Sequence, residues 1–303
     1  MFQICLPVFL GGKCIVSAAL FGQLLIGLIN GSFYALLSLG LAVIFGMLNI
    51  INFAHGAQYM LGAVAAYLLL NYAGIGYWPS LIAAPIIVGA IGIAIERAFL
   101  QWLYKLDHLY GLLLTFGLAL IIEGVSRHYF GTAGLPYSLP DSLQGGRNLG
   151  FMFLPNYRAW VIVASLVICF GTWFVIERTK LGAYLRAATE NPNLVRAFGV
   201  NVPRMITLTY GFGVALAAFA GVMAAPIYNV SPNMGSELII VVFAVVVIGG
   251  MGSILGAILT GFGLGVIEGL TKVFFPEASN TVIFVIMAIV LLVRPAGLFG
   301  RRA

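Results

Sequence analysis

Charge is what this chain has least of: 8% of its 303 residues are Asp, Glu, Lys or Arg, against roughly a quarter in soluble domains. A surface so poor in ions excludes a water-solvated globule. Cysteine is equally sparse. Cys5, Cys14 and Cys169 are the three present, and an odd set without paired spacing excludes a disulfide framework, a zinc site and a CxxC redox motif. No basic segment precedes the first apolar stretch, which Lys13 interrupts. A cleaved signal peptide is therefore not expected, and the first helix is expected to stay. The net charge of +6 comes from basic residues scattered between apolar runs, which argues against nucleic acid as a partner.

What is present is hydrophobicity, at 62% of residues. Apolar runs follow one another along the chain with short polar interruptions. In hydrocarbon every backbone N–H and C=O needs an internal partner, and sustained runs of this kind satisfy that as helices, not as alternating barrel strands. The expected fold is thus all-α, a polytopic membrane bundle over residues 1–303 as one domain. Gly, Pro, Asn and charge divide it into apolar segments near 15–37, 40–50, 56–71, 80–103, 109–130, 158–176, 204–229, 238–250, 253–274 and 281–293. Segments 40–50 and 238–250 fall short of the roughly 20 residues of a straight span, so they are expected to be broken, re-entrant or tilted. The count is therefore about 8–10 crossings.

Counting from a cytoplasmic start puts eleven basic residues on one side: Lys13, Arg97, Lys105, Arg178, Lys180, Arg186, Arg196, Arg204, Arg294, Arg301 and Arg302. Arg127, Arg147, Arg158 and Lys272 remain opposite, completing the fifteen. The positive-inside rule makes the first side cytoplasmic, with both termini on it. A loop at 177–204 is then cytoplasmic. A loop at 131–158, with Pro136, Pro140 and Pro155, is periplasmic, and serves either as a partner contact or as a plain connector. Gly252 and Gly256, then Gly261, Gly265 and Gly269, lie at helical spacing, which lets backbones approach closely. They pack helices within the protomer, or else form a dimer or path-lining face.

The most polar internal string is Asn49-Ile50-Ile51-Asn52-Phe53-Ala54-His55-Gly56-Ala57-Gln58. Polar groups at membrane depth are expensive unless paired or facing a cavity. Asn52, His55 and Gln58 are therefore candidates for the gate or substrate path, or alternatively for capping and packing a helix. Glu123 and Glu268 each precede a cation by four residues, Arg127 and Lys272, so each pair has the spacing to close on one helical face. They neutralise charge or line a polar pathway. Glu237, beside Ser231-Pro232-Asn233, is placed at the outer mouth. No metal site is expected, since His108 and His128 lie far from His55.

The loop at 177–204 carries its own helix signal. Asn191 stands as N-cap, Pro192 as first helical residue and Gly199 as the residue past the end. Leu194, Val195 and Phe198 are expected to share an apolar face. Glu190 precedes this helix and Arg196 sits within it. Such a face packs on the chain's own helix ends or docks into a partner's groove.

These features resemble the permeases of ATP-binding-cassette importers for branched-chain amino acids, specifically the shorter of the two permease types. The Ile51-Asn52-Phe53-Ala54-His55-Gly56 string is similar to that type's signature. The likeness runs from about Leu20 to Leu298, including the loop 179–204, Gly249-Gly250-Met251-Gly252-Ser253 and Arg294-Pro295-Ala296-Gly297-Leu298. It implies a pore made with a second, homologous permease subunit in a bacterial inner membrane, two cytoplasmic ATP-binding subunits and a periplasmic solute-binding protein. Residues 187–199 would then be the coupling helix. No cofactor is expected in this chain; ATP and magnesium would be held by the ATPases. Independently, no GxxxxGK[ST] loop exists here. Gly12-Lys13 comes nearest, with Pro7 at its first glycine position and Cys14 at its hydroxyl position.

Within the resemblance, urea and short amides remain alternative cargoes. A stand-alone secondary transporter or channel is the rival from the residues alone. A membrane enzyme would need a convergent His, Cys or carboxylate set, and none has suitable spacing.

Overall fold

A computed structural model describes residues 15–48, 51–104, 106–150 and 152–300. Cys5, Lys13, Cys14, Asn49, Ile50, Lys105, Arg301 and Arg302 lie outside the described residues. Eleven helices occur among those described: α1 Ile15–Leu48, α2 Ala54–Ala73, α3 Tyr77–Leu103, α4 His108–Phe130, α5 Asn156–Arg178, α6 Lys180–Glu190, α7 Pro192–Ala197, α8 Val202–Tyr228, α9 Met234–Gly249, α10 Ile254–Phe274 and α11 Val282–Val293. The fold is the all-α bundle that hydropathy requires, with one addition. The 131–158 connector carries a short antiparallel hairpin, Gly146–Asn148 against Phe153–Pro155.

Six helices are long and apolar enough to cross a bilayer: α1, α3, α4, α5, α8 and α10. α2 has the length but carries His55, Gln58 and Asn71. α9 and α11 are the short apolar ones, so the brevity expected of 238–250 is real. The break expected between 15–37 and 40–50 is not. α1 runs unbroken for 34 residues, and Gly40, read as punctuation, is a contact point. A Cβ there would stand 2.7 Å from the Gly213 carbonyl oxygen and 3.0 Å from the His55 ring.

That continuity joins two expected segments into one helix. Gly22 faces the Met152 sulfur of the 131–158 connector, Gly46 faces Gly252, and Leu298 N–H bonds the Ile248 carbonyl. α1 therefore begins at the end of the bundle that holds 131–158, and residues 294–300 lie at the other.

Helix packing is close. A Cβ on Gly265 would lie 2.4 Å from Gly31 Cα and from the Gly27 carbonyl oxygen, and one on Gly261 would lie 2.6 Å from Ala35 Cα. Lipid tails are as apolar as leucine, so helices associate through dispersion and backbone proximity, which small residues permit. Gly261, Gly265 and Gly269 of α10 thus serve α1 within this protomer, while Gly256 meets Gly249 of α9. The most enclosed span is α1, 83% buried in its apolar window, whereas α4 is 17% buried and lies at the periphery. α8 bridges the bundle, packing on α1, α2 and α3.

Candidate functional site

Three polar or exposed regions line the bundle from one end to the other: a mid-bundle cluster, an outer cavity and a folded module at the basic end.

The cluster forms where α1 ends and α2 begins. Helix ends leave backbone groups unpaired, and here Thr115 of α4 takes over. Its hydroxyl accepts the Phe53 N–H at 3.2 Å and lies 3.2 Å from the Ile51 carbonyl. The residue at the N-cap of α2 is Phe53, without a side-chain cap bond. The capping role read for Asn52 is therefore wrong. Its amide donates instead to Gln58 Oε1 and to the Tyr210 hydroxyl, both at 3.2 Å, while Gln58 Nε2 donates to the same hydroxyl at 3.1 Å. His55 Nε2 lies 3.0 Å from the Leu37 carbonyl of α1. Asn52, His55 and Gln58 are all buried. Among the described residues Asn52 Oδ1 and His55 Nδ1 have no hydrogen-bond partner. The structure thus gathers the three sequence candidates and adds Tyr210 and Thr115, which single polar residues inside apolar runs did not reveal.

The outer cavity has a volume of about 290 Å³ and is walled by Asn30, Phe33, Tyr34, Tyr59, Tyr228, Ser231, Met234, Glu237 and Leu238. Glu237 is exposed in its wall. Glu268 is not in the wall but behind it: buried, it accepts the Tyr34 hydroxyl at 2.7 Å and pairs with Lys272. The i,i+4 pair expected of Glu268 exists. That of Glu123 does not, because Arg127 donates to Asn233 Oδ1 at 2.8 Å, across to the segment leading into α9. Glu123 stands half-exposed on peripheral α4, apart from the cavity wall.

A carboxylate the sequence reading passed over is Glu96, buried where α3 widens into a π-turn over Glu96–Leu100. Tyr104 and Thr207 hydroxyls donate to its two oxygens at 2.6 and 2.8 Å, tying α3 to α8. Its signal was a lone acid inside the run Gly92-Ile93-Ala94-Ile95-Glu96.

At the basic end the 177–204 segment is two helices rather than one loop. The α5–α6 corner is tight: a Cβ on Gly182 would overlap the Ile176 carbonyl oxygen, which accepts from Arg186 at 2.8 Å. α7 has the caps its sequence announced. Asn191 Oδ1 accepts the Leu194 N–H at 3.0 Å, Pro192 opens the helix, and Gly199 follows at φ +81°. The shared apolar face is corrected. Val195 turns inward onto Ala188 and Val202, while Leu194 and Phe198 stay exposed, Phe198 at 79%. Leu194, one position from Val195, diverges from it by about 100°, and Phe198 lies past the last residue of α7, so Val195 anchors while these two project. Glu190 and Arg196 are exposed beside them.

The sequence matches, over residues 23–291, the family described as branched-chain amino acid transport system, permease component. It is 32% identical over 292 residues to the high-affinity branched-chain amino acid transport system permease protein BraD of Pseudomonas aeruginosa, covering 92% of this chain and 95% of that protein. It is 31% identical over 296 residues to the LivH permease protein of Salmonella typhimurium, with the same coverage. A third relative, the LivM permease protein of Escherichia coli, is 30% identical over 290 residues, covering 88% of this chain and 67% of LivM.

Proposed function

Because this chain belongs to the permease family of branched-chain amino acid transport systems, we propose that it is one half of the pore of an importer for those amino acids, driven by ATPases it does not itself contain. It is a multi-pass membrane protein, and we assign it to a bacterial inner membrane. The observation that carries the energy-coupling reading is α7. A helix anchored by Val195 yet presenting Leu194 and Phe198 to solution is a rigid apolar knob, the form a partner's groove accepts. Its surroundings supply exposed Arg178, Lys180, Arg196 and Arg204.

Likeness to both LivH and LivM proteins supports a pore completed by a second, related permease. A periplasmic binding protein delivers substrate to the outer end. There the cavity beside Glu237 has room for one aliphatic amino acid: Phe33, Met234 and Leu238 offer apolar contact, and the Glu237 carboxylate meets the ammonium. Asn52, Gln58 and Tyr210 form the mid-bundle polar step that the path passes, with His55 holding α2 against α1. The chemistry required is positioning alone, and no covalent step is assigned.

Uptake of radiolabelled leucine by cells expressing the whole importer tests the reading. Phe198→Asp places a charge in the docking groove and is expected to abolish ATP-coupled uptake, with ATPase subunits lost on purification. Normal uptake and assembly would sink the assignment of α7.

A further inference from the structure

A second concave surface lies at the basic end, away from the outer cavity, and its chemistry differs. It is a slot of about 250 Å³ between α1, α5, α6 and α8, walled almost wholly by side chains such as Val43, Val175, Leu181, Met205, Leu208 and Phe212. Val175, Leu181, Leu208 and Phe212 are themselves exposed, so the slot is open along its length. It shares Val43, Ile176, Leu185 and Thr209 with a smaller recess of about 70 Å³ whose rim carries Arg186 and Glu177. Those two ions pair with each other at 3.4 Å.

Further cations stand next to the slot's lining residues along the chain. Arg178 ends α5 one turn beyond Val175, Lys180 opens α6 next to Leu181, and Arg204 stands on α8 next to Met205 and one turn before Leu208. All three are exposed. Three helix ends next to the slot thus carry positive charge, with the Arg178 guanidinium lying over the Trp173 ring.

An apolar slot on a membrane helix bundle is bathed in acyl chains, and basic pockets at the cytoplasmic boundary select anionic headgroups. We propose that this slot is a binding site for an anionic glycerophospholipid, one acyl chain lying along Val43, Leu208 and Phe212 and the phosphate meeting Lys180, Arg204 and Arg178. Charge complementarity decides for lipid over a docking helix, because the apolar wall meets the cations at only one end. That is the polarity of a phospholipid. The bound lipid wedges α6 against α8 and so braces the module that carries α7.

The assembled importer, extracted in mild detergent and examined by native mass spectrometry after exchange with dioleoylphosphatidylglycerol or dioleoylphosphatidylcholine, tests this. Wild-type protein is expected to retain the phosphatidylglycerol preferentially. Each of Lys180→Gln and Arg204→Gln is expected to lower that preference about fivefold, the effect of one cation at a membrane surface. Leu208→Trp, which fills the slot and leaves the cations in place, is expected to remove retention of both lipids; its elution as an intact complex on size exclusion separates this from misfolding. Equal retention of the two lipids by wild type, or retention unchanged in an intact Leu208→Trp complex, overturns the proposal. So does absence of retained lipid because a partner subunit covers the slot.

Discussion

Replacing Tyr210 by Phe removes one oxygen and keeps the ring, so it isolates what the mid-bundle cluster contributes. In the native protein that hydroxyl accepts from Asn52 Nδ2 at 3.2 Å and from Gln58 Nε2 at 3.1 Å. Interhelical hydrogen bonds in membranes average only about 0.6 kcal/mol, because the unfolded-in-membrane chain finds other partners. A buried donor left unsatisfied costs about 1–3 kcal/mol. The second effect wins here. Asn52 and Gln58 are each 1% exposed, and no water reaches them to replace the acceptor. Asn52 Nδ2 keeps its bond to Gln58 Oε1, whereas Gln58 Nε2 loses the Tyr210 acceptor, and the expected cost is about 2 kcal/mol. Thermal denaturation of the purified complex should show Tyr210→Phe melting several degrees lower. A double-mutant cycle with Gln58→Leu should be non-additive, since Gln58→Leu removes the donor that Tyr210→Phe orphans together with the Oε1 that Asn52 uses. Unchanged melting in Tyr210→Phe, or strictly additive losses in the double mutant, would refute the assignment of Tyr210 as the acceptor joining α2 to α8.

Gly265→Val should prevent stable assembly, since a Cβ there lies 2.4 Å from the backbone of α1, whereas Gly263→Ala, with open space at its Cβ, should be neutral; fluorescence-detected size exclusion distinguishes them. Glu237→Gln should raise the KM for uptake with little change in the amount of complex, because the carboxylate is exposed in the cavity wall and makes no structural ion pair. Glu268→Gln keeps an acceptor for Tyr34 but strands the Lys272 charge, so its main effect should be on stability, read as a lower melting temperature at unchanged KM.

Elements whose cause is local were readable from the residues. The capped α7 is written in Asn191, Pro192 and Gly199, each satisfying a backbone requirement of its own helix. The long apolar runs follow from the solvent. What depended on contacts distant in sequence was not readable. Gly40 looks like a break until Gly213 and His55 are seen against it. Asn52 has the chemistry of a cap, and only the tertiary approach of Tyr210 from α8 shows where its amide goes. Val195 was expected on one face with Leu194 and Phe198, and it is the tertiary contact with Ala188 and Val202 that buries it while they stay exposed. Glu123 illustrates the same limit, since i,i+4 spacing makes a pair available and Asn233 outcompetes it for Arg127.

α8 is the element that connects these regions. Its start is capped by Asn201 Oδ1, which accepts from Arg204 N–H at 3.1 Å, beside the Val195–Ala188–Val202 contact. Tyr210 meets the break between α1 and α2, and Tyr228 closes the outer cavity through its hydroxyl bond to Asn30. At 27 residues this helix spans about 40 Å, so under the proposed coupling a displacement applied at α7 would reach the cavity along one helix. Transmission then depends on how firmly Val195 grips Val202. Val195→Ala removes two buried methyl groups, a loss of about 1–2 kcal/mol, and leaves Leu194 and Phe198 in place for the ATPase. The expected result is an importer that binds its ATPases and hydrolyses ATP normally but moves less leucine per ATP. Phe198→Asp should lose both activities together. Equal uptake per ATP in Val195→Ala and wild type would mean that force enters the bundle elsewhere than through the start of α8.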